Sequence, residues 1–442
     1  MIKDFLLKIF IINYILLIII FSNKQFELNK YFVNYQKDLS ITFPFKIGKR
    51  IRVGIYTFCM KNGGRARIAS MLINFLFKFK LFKIYLYTQK IKENDEYAIP
   101  KNIKRSIINK DNITKIYKNK IDILIFHSSG YQALKILNNY NNIKVIYYLH
   151  NSIYNFLYLN YTYFNLLYKE YTKSNYVISL IPFENDFLFK KWGINSILME
   201  SFITYNYKKV IPSDVSSKII LMIGRGNDKN KRFEKGIRSL EYIIKVIEDC
   251  ELKIISQIYN INNLIYLIDN LNLRNNIKIE GFKEYSDIFF KNASLHIFPS
   301  ISESFGLVLC ETKIYGIPNI LLGIDYISIA RNGTIIIYDD TPESLAKEGI
   351  KILLNNKSRE YLGKESRRNM EKYNNEILTK KWINLIINIF KDDSYYYYNL
   401  KRQKIKVTDK ECLLILNRQN QILKTRFKDN ITIDQKYSFF DN

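Results

Sequence analysis

Residues Ser294 to Ile320 read SLHIFPSISESFGLVLCETKIYGIPNI. The opening SLHIF is rich in β-branched and aromatic side chains and stops at Pro299, which cannot donate to a ladder; this is the pattern of a buried strand. A polar loop with Ser300, Ser302, Glu303 and Ser304 follows, and a helix is expected to start near Phe305. Glu303 and Glu311 bracket the apolar run, although a core segment needs neither acid. Free backbone N–H groups at a helix start make an anion site, and Gly306 permits close approach. If the span is helical, Glu311 lies about 12 Å further along. A carboxylate can accept hydrogen bonds from vicinal hydroxyls. One acid could therefore hold a ribose and the other face a sugar, with phosphates at the helix start. The plainer alternative is a helix N-cap plus a surface glutamate.

Working outward, short β-branched runs alternate with longer amphipathic ones. IRVGIYTF (from Ile51) reads as a buried strand and RIASMLINFLFKF as the helix after it; FKIYLYT, IDILIFH and IKVIYYLH repeat the strand signal, with helical stretches between the last two and after His150. The polar stretch from Thr204 to Ser217 reads as a linker. The rhythm then restarts with KIILMIG, LKIIS, IKIEG, SLHIF, PNILL and TIIIY. Strands alternating with helices imply parallel sheets covered on both faces. The expectation is an α/β protein with two doubly wound, Rossmann-like domains facing a cleft, where ligands bind outside the carboxyl ends of the strands. The first domain is placed at 46–205, the second at 206–372, a crossover helix at 373–391 and a basic tail, possibly disordered, at 392–442.

Composition excludes several classes. The formal net charge is +27, but the lysines are scattered and form no basic stripe or nucleic-acid motif, so no nucleic-acid partner is expected. Cys59, Cys250, Cys310 and Cys412 are isolated and only three histidines are present. That argues against a zinc site or a disulfide scaffold. FLLKIFIINYILLIIIF, from Phe5 to Phe21, carries one lysine, Lys8. As a helix it would reach roughly 25 Å, marginal for a bilayer core of about 30 Å. An uncleaved single-pass anchor over residues 1–22 is expected, because FSNKQ lacks a small-residue cleavage pattern. Lys24, Lys30 and Lys37 lean towards a cytosolic catalytic part. Sequons at Asn292 and Asn332 do not decide the side, being expected by chance in so Asn-rich a chain.

A second strand end carries cations. KIILMIG delivers GRGNDKNKRFEKG, with Gly224-Arg225 and, six residues on, Lys231. A guanidinium fork and an ammonium point charge suit a diphosphate; a solvated basic loop is the bland alternative. With these residues in order, the segment from about Lys218 to Lys372 resembles the retaining glycosyltransferases of family 4, which have the two-domain GT-B fold. The shared features are Gly224-Arg225…Lys231, Glu303…Glu311 spaced as E-x7-E, and Gly316-Ile317-Pro318 as G-x-P. The first domain matches more weakly, through MKNGGRAR with Gly63-Gly64 and through His150 at the end of IKVIYYLH.

The resemblance implies that Arg225 and Lys231 neutralise the diphosphate and that Glu311 holds the ribose. It also implies that Glu303 contacts the donor sugar, Gly306 and Leu307 offer backbone N–H groups, Gly63 and Gly64 line the cleft, and His150 lies near the sugar. His127 ends a strand too but ranks below His150, and His296 lies inside a strand and reads as core. Trp382 falls in a segment that, by resemblance, crosses back to the first domain and braces the hinge. Two departures stand out. Arg232 occupies the place of a usual glycine after the lysine, which makes Lys235 a rival for the phosphate role. The region after Pro318 lacks the usual Gly-Gly loop, although Gly333-Thr334 partly resembles a later glycine.

Expected on these grounds is a hexosyltransferase-type enzyme that moves a sugar, with retention and without a metal ion or cofactor, from a nucleotide-diphosphate sugar to a glycan or lipid-linked acceptor. A catalytically silent binding or assembly subunit and a sugar-nucleotide epimerase are the alternatives.

Overall fold

The computed structural model of the chain describes residues 49–391, apart from 62, 91–95, 110–112, 129–141, 149, 151, 153–160, 226–227, 257–260, 282–286 and 324–326. The expected anchor over 1–22, the tail over 392–442 and the helical stretch expected between IDILIFH and IKVIYYLH lie wholly or largely outside the described residues. Among the described residues no helix is long and apolar enough to cross a membrane.

Strands β1 (Ile51–Thr57), β2 (Phe82–Thr88), β3 (Lys104–Ile107), β4 (Ile123–Phe126), β5 (Lys144–Tyr148), β6 (Tyr176–Ser179) and β7 (Ile197–Leu198) form one sheet, ordered β3-β2-β1-β4-β5-β6-β7. Strands β8 (Ile219–Ile223), β9 (Glu251–Ser256), β10 (Ile277–Gly281), β11 (Ala293–Phe298), β12 (Asn319–Leu322) and β13 (Thr334–Ile337) form a second, ordered β10-β9-β8-β11-β12-β13. Every pairing is parallel. The connecting helices are α1 (Gly64–Phe77), α2 (Lys115–Lys118), α3 (Tyr161–Lys173), α4 (Pro182–Trp192), α5 (Phe233–Ile244), α6 (Asn262–Asn270), α7 (Leu307–Ile314), α8 (Ile327–Ala330), α9 (Pro342–Leu353), α10 (Asn356–Asn369) and α11 (Asn375–Phe390). The fold is thus α/β with two Rossmann-like domains.

The central strands show why the apolar runs predicted this. β1 lies between β2 and β4, and all its residues but Arg52 are buried. A strand covered on both faces reads as a continuous apolar run. Sequence reading missed β3, β6 and β7: a strand is conspicuous when it is long and buried on both faces, and these are short, β6 being a four-residue YVIS. β3, KRSI, is a polar edge strand, and β7 is only two residues long.

In both sheets the strand order reverses beside the first strand, between β1 and β4 and between β8 and β11. At such a switch point the loops leaving neighbouring carboxyl ends part and open a crevice. Helix α11 ties the two halves together. Trp382 is fully buried, with its ring 5.2 Å from Tyr148 of β5, edge to face. Asn375 bonds both backbone groups of Ile203, at 2.9 and 2.7 Å, and Lys381 pairs with Glu200 at 2.9 Å.

The G-x-P motif ends helix α7. Ile317 N–H donates to Thr312 O and Gly316 N–H to Lys313 O, the two bonds of a Schellman cap. Gly316 takes the left-handed φ of 70° that the cap requires, and Pro318 prevents the helix from resuming. Gly333 also has a structural reason. Its φ is 68°, and an added Cβ would lie 2.1 Å from Ser366 N and 2.4 Å from Leu362 O of α10. Gly316 is less confined, the nearest atom to a Cβ being Gly363 O at 3.4 Å. Gly333→Ala should therefore cost about 3 kcal/mol and Gly316→Ala about 1 kcal/mol in urea unfolding. Equal losses would mean that the contact with α10 does not constrain Gly333.

Candidate active site

The chemistry-bearing loops leave the carboxyl ends of β1, β4 and β5 in one sheet and of β8 and β11 in the other. In the second domain, β8 ends at Gly224. A Cβ there would lie 3.2 Å from Lys231 Cγ, so glycine lets the lysine stem fold across the strand end. Asp228 shapes the intervening turn, its Oδ1 accepting from Asn230 N–H at 3.0 Å and its carbonyl from Lys231 N–H at 2.8 Å. Lys231 Nζ thereby reaches Glu303 Oε1 and stands 5.3 Å from the centre of the Phe298 ring. The Asn230 carbonyl accepts from Ile301 N–H at 3.1 Å and ties the two loops together. Arg225 pairs with Asp228 at 2.6 Å, but its side chain is 60% exposed. An exposed pair of this kind contributes under about 1 kcal/mol, so Arg225 can be drawn to another anion at little cost.

Arg232 and Lys235 are placed elsewhere. Arg232 donates to both oxygens of Asp340 at 2.9 Å, and Lys235 to Asp340 Oδ1 at 2.7 Å and to its carbonyl at 2.6 Å. The Lys235 ammonium is pushed below its ordinary pKa, chiefly by burial. Lys231, not Lys235, is the cation beside Glu303. The departure at Arg232 also has a backbone reason: φ is 51°, the left-handed region that glycine occupies freely, and the bidentate bond to Asp340 offsets the strain.

The loop after β11 runs past Ser300, whose hydroxyl is buried and has no hydrogen-bond partner among the described residues. Helix α7 starts at Leu307, two residues later than the sequence suggested, because Gly306 turns left-handed at φ 70°. Glu303 therefore lies outside the helix, and the helical estimate of its separation from Glu311 does not apply. Leu307 opens the first turn, whose N–H groups have no intrahelical acceptor. Phe305 is buried against Tyr373, with ring centres 5.5 Å apart.

The first domain meets this loop directly. Ser304 Oγ donates to the His150 carbonyl at 2.7 Å, and a Cβ on Gly64 would lie 3.1 Å from Leu307 Cδ1. Gly63, at φ 97°, opens helix α1 with no atom within 4 Å of where its Cβ would point. His150 Nε2 lies 2.8 Å from His127 Nδ1, the rings stacked at 4.8 Å. His127 Nε2 is buried without a partner. An unpaired N–H there would be costly, so the His127 proton is assigned to Nδ1, donating to His150 Nε2. His150 then carries its own proton on Nδ1. His127, ranked below His150 on sequence, is the neighbour that fixes its ring. His296 is core, as expected: it is fully buried and bonded to Asn319 Oδ1 at 2.7 Å.

Glu311 is the surprise. It is buried, and Oε1 takes both Arg67 Nη1 from α1 and Thr204 Oγ1 from the inter-sheet connection, each at 2.7 Å. Sequence reading passed over both partners. The signal available for Arg67 was an arginine one turn into α1 within an otherwise small and apolar stretch, Ala66, Ile68 and Ala69, all buried.

All three histidines stay neutral well below the usual range. Burial lowers His127 to about 3 and His296 to about 4, and His150 is lowered by burial and then by His127. Between about pH 6.5 and 4 the unfolded chain binds protons that the folded chain does not, so stability is full above pH 6.5 and falls with acidification. Each histidine should contribute a slope of about 1.4 kcal/mol per pH unit. Urea unfolding between pH 7 and 5 should show this, and His296→Asn should reduce it. A pH-independent midpoint over that range would show that the histidines are protonated in the fold.

Residues 205–369 match the family model for "Glycosyl transferases group 1". No curated protein matches the chain. Among solved structures, a mutant of Staphylococcus aureus TarM in complex with fondaparinux, alpha-GlcNAc-glycerol and UDP is 20% identical, with a TM-score of 0.53. That match covers 60% of this chain and 55% of that one. Sucrose-phosphate synthase from Thermosynechococcus elongatus gives a TM-score of 0.65 at 18% identity, covering 78% of this chain and all of that one. Anabaena HepE in complex with UDP and glucose gives 0.63 at 13% identity, covering 77% and 100%. The likeness at these identities is one of fold. Residues 205–369 thus resemble a glycosyl transferases group 1 domain, set in a two-domain architecture of the GT-B kind.

Proposed function

We propose that the chain is a retaining glycosyltransferase of the family 4 type, transferring a hexose from a nucleotide-diphosphate sugar to a glycan or lipid-linked acceptor without a metal ion. The observation that carries this reading is the meeting of Lys231 and Glu303 beside the start of α7, across from Gly64 and His150. As the bond from the anomeric carbon to the diphosphate breaks, negative charge grows on the departing oxygen. Lys231, Arg225 and the N–H groups at Gly306 and Leu307 are fixed dipoles and charges of the right sign for it. Glu303, at the sugar end of Lys231, orients the donor sugar. His150, its ring held by His127, contacts that sugar from the opposite wall, with Gly63 and Gly64 lining the space between. Glu311 takes the ribose.

UDP in the TarM and HepE complexes supports a uridine nucleotide as the first donor to try. The apolar run over 1–22 supports a single-pass anchor with the catalytic part on the cytosolic side, near a membrane-borne acceptor. The silent-subunit reading rested partly on Arg232, and that residue takes a left-handed φ of 51°, a region glycine occupies freely.

The full-length chain in detergent, given a panel of UDP- and GDP-sugars with EDTA and membrane extract, should hydrolyse or transfer from one donor. Lys231→Ala and Glu303→Gln should each lower kcat by about 100-fold or more. Nucleotide binding without turnover would select the silent subunit, and interconversion of the free sugar nucleotides the epimerase. No donor binding by calorimetry across the panel would overturn the assignment.

A further inference from the structure

The carboxylate assigned to the ribose is held by the other domain. Glu311 belongs to α7, whereas Arg67 belongs to α1 and Thr204 to the connection between the sheets. The pair is largely buried, with Arg67 and Glu311 side chains 11% and 5% exposed. A buried ion pair is a poor stabilising device, since desolvation of both charges consumes most of the attraction. Its geometry is more informative. Arg67 Nη1 and Thr204 Oγ1 both lie against the same oxygen, Oε1. Helix α1 is itself seated against α7 through Gly64 and Leu307, so Arg67 reaches Glu311 only when the two domains are together.

We infer that Arg67 is a positioning residue for the donor nucleoside. It holds the Glu311 carboxylate in orientation, with Oε2 left to accept from the ribose hydroxyls, and it makes ribose recognition depend on the closed arrangement of the domains. The inference rests on the proposed ribose role of Glu311. Arg67 touches neither the sugar nor the phosphates in this scheme, and its loss should be felt at the ribose alone.

Calorimetric titration separates this from a merely structural pair. UDP, GDP and their 2′,3′-dideoxy counterparts would be titrated into the full-length protein and into Arg67→Gln, Arg67→Lys, Glu311→Gln and the Arg67→Gln/Glu311→Gln double variant. The wild type should prefer the ribonucleotide over its dideoxy form by at least about tenfold, the loss expected when hydrogen bonds to a charged group go unmade. Arg67→Gln should shrink that preference to within about threefold while leaving dideoxynucleotide affinity unchanged, and the double variant should lose no more than either single one. Arg67→Lys, which keeps the charge but not the fork, should reduce the preference at least threefold, and it decides the matter if Arg67→Gln does not fold. Full ribose preference in the Arg67 variants would overturn the inference and leave the role of Glu311 standing. A wild type that binds both nucleotides equally would overturn the role of Glu311, and this inference with it. Absence of any nucleotide binding would overturn the functional assignment as a whole.

Discussion

The contact on which the candidate site depends is apolar. Phe305, buried between the polar loop after β11 and the start of α7, packs in the same cluster as Tyr148 of β5, Tyr373, and Trp382 of the crossover helix. That cluster belongs to neither domain alone. The bulk of these rings makes it costly to break; removing one buried aromatic side chain of this size typically costs about 3–5 kcal/mol. The loop bearing Glu303 and Ser304 is therefore pinned from behind by the first domain. This explains how a serine hydroxyl of one half can sit within hydrogen-bond reach of a histidine carbonyl of the other.

On that scaffold the charges sort by burial. Arg232 and Lys235 are committed to Asp340, a carboxylate between them and the outer strand of the sheet. Arg67 is committed to Glu311 across the domain boundary. Arg225 is itself exposed beside Asp228, and Lys231 holds Glu303 at the loop junction. For a diphosphate, the cost of recruiting a cation is the bond that cation must give up. This cost is smallest for the exposed Arg225 and larger for Lys231, Arg232 and Lys235, whose side chains are all largely buried. The phosphate-binding capacity of the segment after β8 is thus set by how three acids hold its paired cations: Asp228 holds Arg225, Glu303 holds Lys231, and Asp340 holds Arg232 and Lys235.

The sequence makes legible whatever repeats a strong local pattern. The buried central strands, the linker and the loops bearing Lys231 and Glu303 follow from apolar periodicity interrupted by charge, whereas the crossover role of the helix around Trp382 came only with the family resemblance. The G-x-P segment was legible as a motif, but its reason, a Schellman cap, appears only in the backbone. Arg232 looked like a defect because φ cannot be read from a side-chain letter. Edge strand β3 was missed because it is short and polar, with no buried residue. Arg67 and Thr204 lie 244 and 107 residues from Glu311 along the chain, as their numbers show, and long-range charge pairing leaves no local signature. In a chain carrying 68 lysines and arginines, one more arginine is invisible until the fold gives it a carboxylate.

The supporting roles that sequence reading did not assign share a position, and the position explains why they went unassigned. Arg67, Thr204, Ser304 and His127 are supports: each fixes a group that the motifs did identify. A motif residue has to be a particular type because it meets a ligand, whereas a support needs only to offer the right atom from wherever the fold brings it. His127 illustrates the difference. Its own second nitrogen is sealed without a partner, a cost that makes no sense for a ligand contact. It does make sense if the ring is there to settle which nitrogen of His150 carries the proton. Supports drawn from the opposite domain also impose a condition on the site: the groups on Glu311 and on the Ser304 loop are in register only when the halves are closed. The closed arrangement is therefore part of the site itself, and the interface between the sheets is under the same chemical constraint as the residues that face the cleft.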